Sequence, residues 1–169
     1  MDWKSFYNYL TNFNTMEVEF KIRVNGVSRR IKADPETPML YILRNNLTLN
    51  GPKFGCGLAQ CGACMMLIDG VAVPSCTYPL QNVGQSEVTT LEGLSQEGGK
   101  LHPVQQSFFE EQAAQCGYCT NGLIMASVAL LRRKSDPSET EIRAELQRNI
   151  CRCGIHARAI RAVKKLSDR

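Results

Sequence analysis

The chain has 169 residues, a formal net charge of +4 and a hydrophobic fraction of 43%. This length and composition indicate one ordinary globular domain or two small ones and argue against disorder. No apolar run reaches the ~18 residues of a membrane span, and the N-terminus MDWKSFYNYL carries no recognisable export signal. The mild charge is spread along the chain, which gives no basis for nucleic-acid binding. We therefore expect no nucleic-acid partner, no membrane span and a cytoplasmic location by default.

Residues 1–15 are predicted to form a helical N-terminal extension. Their apolar side chains recur on one helical face, at Trp3, Phe6, Tyr7, Leu10 and Phe13. Such a face packs either on the chain's own domain or on a partner protein, and the sequence leaves both interpretations open.

Residues 16–90 are predicted to form a small domain that opens with a β-hairpin. Apolar and charged residues alternate over 18–24 and again over 27–33. The Asn25-Gly26 pair between them is typical of a type I′ turn.

A short helix and a second hairpin are expected in the same domain. After Pro38, leucines recur at helical spacing, at Leu40, Leu43 and Leu47. Strands over 65–68 and 71–73 are predicted to reverse at Asp69-Gly70.

A helical region is predicted beyond a linker at 91–101, where glycine and polar residues show no sustained period. Residues 102–169 should then contain four helices: from Pro103 to about Gln115, from Gly122 to Arg133 with Asn121 as N-cap, from Ser138 with Glu141 in a capping box, and from Ile155 to Leu166. Helices of this size suggest an antiparallel four-helix bundle. The fold class is therefore expected to be α+β.

The eight cysteines fall into two groups of four. In a chain without a signal peptide, they argue against a disulfide framework and for metal binding. The first group is Cys56, Cys61, Cys64 and Cys76. Its order, C-x4-C-x2-C and then a distant cysteine, is the spacing of plant-type [2Fe–2S] ferredoxins. Neighbouring glycines let the backbone approach a cluster and direct N–H groups towards its sulfurs.

The second group is Cys116, Cys119, Cys151 and Cys153, in the motifs QCGYC and CRC. Both motifs precede a predicted helix, and the free N–H groups and dipole of a helix N-terminus stabilise thiolates. We expect the two motifs to converge and to hold a second [2Fe–2S] cluster.

Zinc is the main alternative ligand for the cysteines. A zinc ribbon needs two CxxC pairs, whereas the first group has one CxxC and the second combines CxxC with CxC. A thioredoxin-like use of CGYC leaves the other cysteines unexplained. A Rieske centre needs Cys-x-His pairs, and His102 and His156 instead are predicted to lie at helix ends or on the surface. The alternative functions are a zinc-stabilised interaction module and a freestanding ferredoxin-like carrier.

The order C-x4-C-G-x-C, a single cysteine, Q-C-G-Y-C-T and N-I-C-R-C-G resembles the iron–sulfur subunit of the xanthine oxidase family of molybdenum hydroxylases. The resemblance covers residues 17 to about 166. It implies a β-grasp, plant-type ferredoxin-like domain followed by a four-helix bundle, each with one [2Fe–2S] cluster. It also implies that the chain has no substrate site and carries electrons to an external acceptor from the molybdopterin cofactor of a large catalytic subunit.

The resemblance also implies roles for single residues. The family's helical domain holds the cluster proximal to molybdopterin, which assigns the second cysteine group to the proximal cluster and the first to the distal one. Gln115 matches a glutamine that contacts the pterin, and Cys153 matches a cysteine whose sulfur reaches it. Asn121 departs from the proline of many relatives. Because asparagine is a good N-cap, we expect a change in helix initiation and not in chemistry.

The loop LNGPKFGCGLAQCGAC resembles the branch of isoquinoline 1-oxidoreductase and the membrane-associated bacterial aldehyde dehydrogenases. This branch implies oxidation of an aldehyde or an N-heterocycle, and its implied electron acceptor is a cytochrome c subunit. It also implies that a partner can bring the complex to the periplasmic face of the inner membrane. The alternative is a flavin-containing relative with a separate FAD subunit, because no flavin domain follows the predicted helices.

Overall fold

The structure is a computed structural model that describes residues 17–95 and 97–167. The predicted N-terminal helix over 1–15 lies outside the described residues. Within the described part of the chain, no helix has both the length and the apolar character that crossing a membrane requires.

The first predicted hairpin is confirmed. Strands β1 (Val18–Val24) and β2 (Val27–Ala33) pair antiparallel, with Val24 opposite Val27. Asn25 and Gly26 have φ angles of 53° and 76°. Both therefore adopt the left-handed conformation that a type I′ turn requires.

The second hairpin is also confirmed, and a short strand joins it to the first. Strands β3 (Met65–Ile68) and β4 (Val71–Pro74) pair antiparallel. Strand β5 (Glu87–Thr89) lies between the hairpins, parallel to β1 and antiparallel to β3, so the sheet order is β2-β1-β5-β3-β4. The sequence interpretation missed β5, because three residues are too few to display a period of two.

The predicted helix after Pro38 is present but irregular. Helix α1 (Met39–Tyr41) continues directly into a wider π-helical turn over Ile42–Asn46. The buried side chains of this segment pack on one face of the sheet, with Met39, Ile42 and Leu43 against Ile22, Met66 and Val88. Leu40 instead contacts two cysteines of the first group.

Over residues 97–167, four α-helices follow the sheet: α2 (Pro103–Glu110), α3 (Thr120–Arg133), α4 (Glu139–Leu146) and α5 (His156–Ser167). Helix α3 is central, since every residue from 121 to 130 is buried. The predicted capping box of α4 is confirmed: the Glu141 N–H donates to Ser138 Oγ at 3.3 Å, and the Ser138 N–H donates to Glu141 Oε2 at 2.8 Å.

Two predicted helix boundaries were wrong. Helix α2 ends at Glu110 and not near Gln115, because Gln112 takes a left-handed φ of 51° that an α-helix cannot continue through. Helix α3 begins at Thr120, and its N-cap is Cys119, not Asn121. Asn121 is the second helical residue and is 1% exposed. Its side chain therefore does not cap α3.

A buried interface joins the sheet to the helices. The hydrophobic cluster of the helices includes Leu67 of β3 and Leu94, and Met65 and Ala72 pack against it. Because β3 directly follows the first cysteine motif, this interface brings residues 54–64, the first cysteine loop, next to the start of α3.

Candidate metal centres

The first cysteine loop surrounds one thiol with backbone donors. Cys56 Sγ accepts hydrogen bonds from the N–H groups of Leu58, Gln60 and Cys61 at 3.3, 3.2 and 3.4 Å. These bonds, led by the one from Leu58, lower the pKa of Cys56 to about 7. The loop is therefore shaped to hold a thiolate, the form of cysteine that binds iron.

The tight winding of this loop depends on small residues. A Cβ atom on Gly55 would lie 2.6 Å from Cys61 Sγ, which leaves no room for a side chain. Gly57, Ala59 and Gly62 all have left-handed φ angles, at 68°, 57° and 72°. A left-handed residue next to a right-handed one turns successive N–H groups to the inside of a loop, as in anion-binding nests.

Cys64 and Cys76 form a buried pair that contacts Leu40. Cys76 reaches this place from a 3₁₀ turn, Ser75–Thr77, that follows β4. Burial, and secondarily the neighbouring Cys76, raises the pKa of Cys64 to about 11. A pair of adjacent buried thiols fits a metal centre, because bound iron deprotonates its thiols and neutralises the charge.

The second cysteine group contains a similar pair. Cys119, at the N-cap of α3, is 7% exposed and donates to Cys151. Burial and this contact raise the pKa of Cys119 to about 12. Burial alone would raise the pKa of Cys151 too, but backbone N–H groups, first that of Ile155, lower it. The backbone around Cys151 thus favours its thiolate form.

The remaining predicted residues lie towards solvent. Gln115 and Cys116 are exposed, and Cys153 is half-buried. The backbone N–H of Cys153 is among the groups that lower the pKa of Cys151. The expected pterin contacts of Gln115 and Cys153 stay predictions. Both residues are at least partly exposed, so another protein chain can reach them.

The two cysteine groups meet through hydrogen bonds. Ile150, next to Cys151, donates its N–H to the Cys61 carbonyl at 3.0 Å. Asn149 Nδ2 donates to the Gly62 carbonyl at 3.3 Å, and Asn121 Nδ2 donates to the carbonyls of Ala63 and Met65, each at 3.0 Å. The Tyr118 hydroxyl donates to the Phe54 carbonyl.

Sequence reasoning gave no role to Asn149 and a different one to Asn121. The only signal for either residue was its position within three residues of a cysteine motif.

A close backbone approach accompanies these bonds. A Cβ atom on Gly122 of α3 would overlap the Gly62 carbonyl oxygen, and one on Gly62 would overlap Asn149 Nδ2. The first cysteine loop and helix α3 are thus in contact without side chains between them.

The donor set fits two-iron clusters. Within residues 17–95 and 97–167, no three His, Cys, Asp or Glu side chains surround a single metal-ion position. Six of the thiols instead form pairs, namely Cys56 with Cys61, Cys64 with Cys76 and Cys119 with Cys151, and a [2Fe–2S] cluster takes four thiolates over its two irons. Buried Thr120 Oγ1, next to Cys119, has no hydrogen-bond partner. A hydroxyl in this position suits a bridging sulfide or thiolate acceptor.

Comparison with known proteins gives the same picture. Residues 22–97 match the family described as the 2Fe-2S iron-sulfur cluster binding domain, and residues 90–164 match the [2Fe-2S] binding domain. The chain is 52% identical over 153 residues to a nicotinate dehydrogenase subunit of Pseudomonas putida, which covers 90% of this chain and 97% of that protein. The chain belongs to the iron–sulfur subunits of the xanthine oxidase family of molybdenum hydroxylases.

Other members of the family support the assignment. The chain is 44% identical to the alpha subunit of isoquinoline 1-oxidoreductase from Brevundimonas diminuta, over 80% of this chain and 88% of the relative. It superimposes on a chain of quinoline 2-oxidoreductase from Pseudomonas putida 86 with a TM-score of 0.84 and 33% identity, over 89% of this chain and 93% of that one.

The family membership settles the class of activity. The chain transfers electrons as the iron–sulfur part of an oxidoreductase complex. Family members form complexes with a molybdopterin-containing catalytic subunit. The mixed sheet and helices agree with an α+β ferredoxin-like fold.

Proposed function

We propose that this chain holds two [2Fe–2S] clusters and passes single electrons from the molybdopterin of a catalytic partner to an external acceptor. Cys116, Cys119, Cys151 and Cys153 hold the proximal cluster, and Cys56, Cys61, Cys64 and Cys76 hold the distal one. The division into a ferredoxin-like domain at 16–90, a linker at 91–101 and a four-helix bundle at 102–169 is part of the proposal.

One observation carries this assignment: the hydrogen bond from the Ile150 N–H to the Cys61 carbonyl. Cys61 belongs to the first group, and Ile150 is covalently bonded to Cys151 of the second. The two proposed ligand sets are therefore connected by one hydrogen bond and the backbone of a single intervening residue, Ile150. Such a short connection suits a chain that transfers electrons from one site to the other.

When bound, the clusters supply one-electron redox centres. The chain's own residues fix the thiolates and set their electrostatic surroundings. The N–H groups of Leu58 and Gln60 stabilise negative charge on the first thiolate, Cys56. Hydrophobic packing against Leu40 excludes water from Cys64 and Cys76, the other two thiols of the same group. Gln115 is exposed and Cys153 is partly exposed, so a partner's pterin can contact both residues.

We further propose an N-heteroaromatic substrate for the complex. This class is supported by similarity to subunits of nicotinate dehydrogenase, isoquinoline 1-oxidoreductase and quinoline 2-oxidoreductase. An aldehyde is the second candidate, since the chain is 39% identical to an aldehyde oxidoreductase iron-sulfur-binding subunit of Escherichia coli. The proposed acceptor is a cytochrome c at the periplasmic face, and an FAD-containing partner is the alternative.

Metal and sulfide analysis of the purified chain tests the cluster assignment. About four irons and four acid-labile sulfides per chain are expected for two [2Fe–2S] clusters. Stoichiometric zinc without sulfide would overturn the assignment in favour of a zinc-stabilised module.

The purified complex tests the acceptor and the substrate. An absorption spectrum that contains a c-type haem band supports the cytochrome, whereas a flavin spectrum without haem supports the alternative. Anaerobic addition of nicotinate, quinoline or an aromatic aldehyde should reduce the clusters only with a true substrate. Loss of the visible absorption of the clusters with the aldehyde alone would overturn the N-heteroaromatic proposal.

A further inference from the structure

We propose that Asn121 is a positioning residue that raises the reduction potential of the distal cluster. The proposal rests on the assignment of Cys64 as a distal ligand. It gives Asn121 a role in the redox chemistry of the site, where its sequence position suggested only a helix cap.

Asn121 reaches from the start of α3 into the first cysteine loop. Its side-chain nitrogen donates one hydrogen bond to the Ala63 carbonyl and one to the Met65 carbonyl, each at 3.0 Å. These two carbonyls flank Cys64. A single amide group therefore fixes the backbone on both sides of one proposed ligand.

The other carbonyl in this stretch is held as well. The Cys64 carbonyl accepts from the Ser75 N–H at 3.2 Å and from Ser75 Oγ at 2.7 Å. The Ala63 carbonyl also accepts from the Lys53 N–H at 3.1 Å. Three successive carbonyls are thus engaged by protein donors, and Asn121 contributes to two of them.

The orientation of the Asn121 amide is fixed by these acceptors. Two carbonyl oxygens require the donating nitrogen to face them. Asn121 Oδ1 is consequently buried without a hydrogen-bond partner and lies close to Gly51. An unsatisfied buried oxygen is unfavourable. The arrangement therefore favours the two donated bonds over full pairing of the amide.

The sign of the electrostatic effect follows from the peptide dipole. A donor on the Ala63 carbonyl withdraws electron density from the peptide group that ends in the Cys64 N–H. A carbonyl held by Asn121 is also unable to rotate towards the cluster. Both effects favour the additional negative charge of a reduced cluster, so Asn121 should raise its potential.

The capping of α3 is independent of this role. Cys119 is the N-cap, and Asn121 lies in the first turn, where a backbone N–H has no intrahelical acceptor. Proline is tolerated in the first turn for the same reason. Asn121→Pro therefore removes both side-chain hydrogen bonds without removing an intrahelical one.

The test compares Asn121→Ala and Asn121→Pro in the purified complex by redox titration, with the two clusters followed separately by EPR. We expect the equilibrium constant for reduction of the distal cluster to fall about tenfold, a potential about 59 mV lower. The proximal potential and the iron content should not change. Ser127→Ala is the control, since it removes another buried bond of α3, to the Leu123 carbonyl at 2.7 Å.

Other outcomes are equally decisive. Loss of the distal signal in both variants overturns the proposal, because Asn121 is then required to hold the loop around Cys64 and not to set a potential. An unchanged distal potential in both variants, or an equal change in both clusters, overturns it and leaves Asn121 a purely structural role. Absence of iron and sulfide from the unaltered complex would instead refute the cluster assignment itself.

Discussion

The backbone N–H of Ile150 donates a hydrogen bond to the carbonyl oxygen of Cys61 at 3.0 Å, across a sequence separation of 89 residues. The Ile150 side chain takes no part in this contact, since 66% of its surface is exposed. The connection between the two cysteine groups is thus made by the backbone, and it can be removed without altering any cysteine.

Ile150→Pro removes this donor. We expect slower electron transfer between the clusters, because the shortest bonded connection is lost, and a loss of stability of about 1 kcal/mol. Rapid-freeze EPR after reduction by substrate measures the rise of the distal signal. Ile150→Ala keeps the N–H and should transfer electrons at the normal rate. Equal rates in the two variants would show that the connection is unimportant for transfer.

Gly55→Ala should eliminate the distal cluster selectively. The new Cβ would lie 2.6 Å from Cys61 Sγ, so the thiol must leave its position. Iron should fall from about four to about two per chain, with the proximal EPR signal retained. Gly98→Ala adds the same methyl group where no atom lies within 4 Å, at a left-handed φ of 78° that strains the backbone outside both cysteine motifs, and it should keep both signals. Full iron content in Gly55→Ala would contradict the assigned loop geometry.

Cys153→Ser should remove or alter the proximal signal alone and stop electron transfer to the distal cluster. Serine is a weak iron ligand and cannot replace the thiolate sulfur. Cys64→Ser is the reciprocal variant and should affect only the distal signal. EPR of both complexes measures the effect, and an unchanged spectrum with full turnover in Cys153→Ser would show that Cys153 is not a ligand.

Ser138→Ala should destabilise the helical region by about 1 kcal/mol, the usual value of an N-cap side chain. The variant loses the bond from the Glu141 N–H to Ser138 Oγ. Urea unfolding followed by circular dichroism measures the change. Thr140→Ala, an exposed substitution in α4, serves as the control and should leave the midpoint unchanged or slightly higher.

Glu92→Gln should reduce stability by about 1 kcal/mol at neutral pH. Glu92 accepts from the Gly51 N–H at 2.6 Å and from the Thr90 hydroxyl at 2.7 Å. Burial alone would raise the pKa of Glu92, but these bonds, first that of Thr90, lower it from its ordinary value of 4.5.

Because the folded pKa is lowered, the contribution of Glu92 is complete above pH 4.5 and is lost as the pH falls through the folded value. Thermal unfolding at neutral and acidic pH should show that the difference in Tm between the parent and Glu92→Gln becomes smaller on acidification. Glu19→Gln, an exposed control, should behave like the parent at both pH values. A constant difference for Glu92→Gln would contradict the carboxylate bonds.

Local sequence signals predicted the parts of the fold that local chemistry determines. Asn25-Gly26 and Asp69-Gly70 identified both hairpins, because few residues adopt left-handed φ angles easily. Ser138 and Glu141 identified the start of α4 for a similarly local reason. The two cysteine groups were also visible in the sequence, since ligand spacing is constrained by cluster size.

Contacts between distant segments could not be predicted in this way. Strand β5 is defined by its neighbours β1 and β3, and not by a pattern of its own. Asparagine is a common N-cap residue, yet tertiary packing buries Asn121 against Ala63 and Met65. No local pattern predicted the contact of Asn149, because its partner Gly62 lies 87 positions away.

The position of β5 also constrains the order of folding. Glu87–Thr89 pairs with Arg23 and Val24 of β1, so the sheet closes only after a long segment of chain has been gathered. Such non-local pairing is slow compared with hairpin formation. A chain cut before Glu87 would keep both hairpins and all four cysteines of the first group, yet lack the strand that joins them. During synthesis, the first cysteine loop therefore emerges before the sheet that supports it is complete.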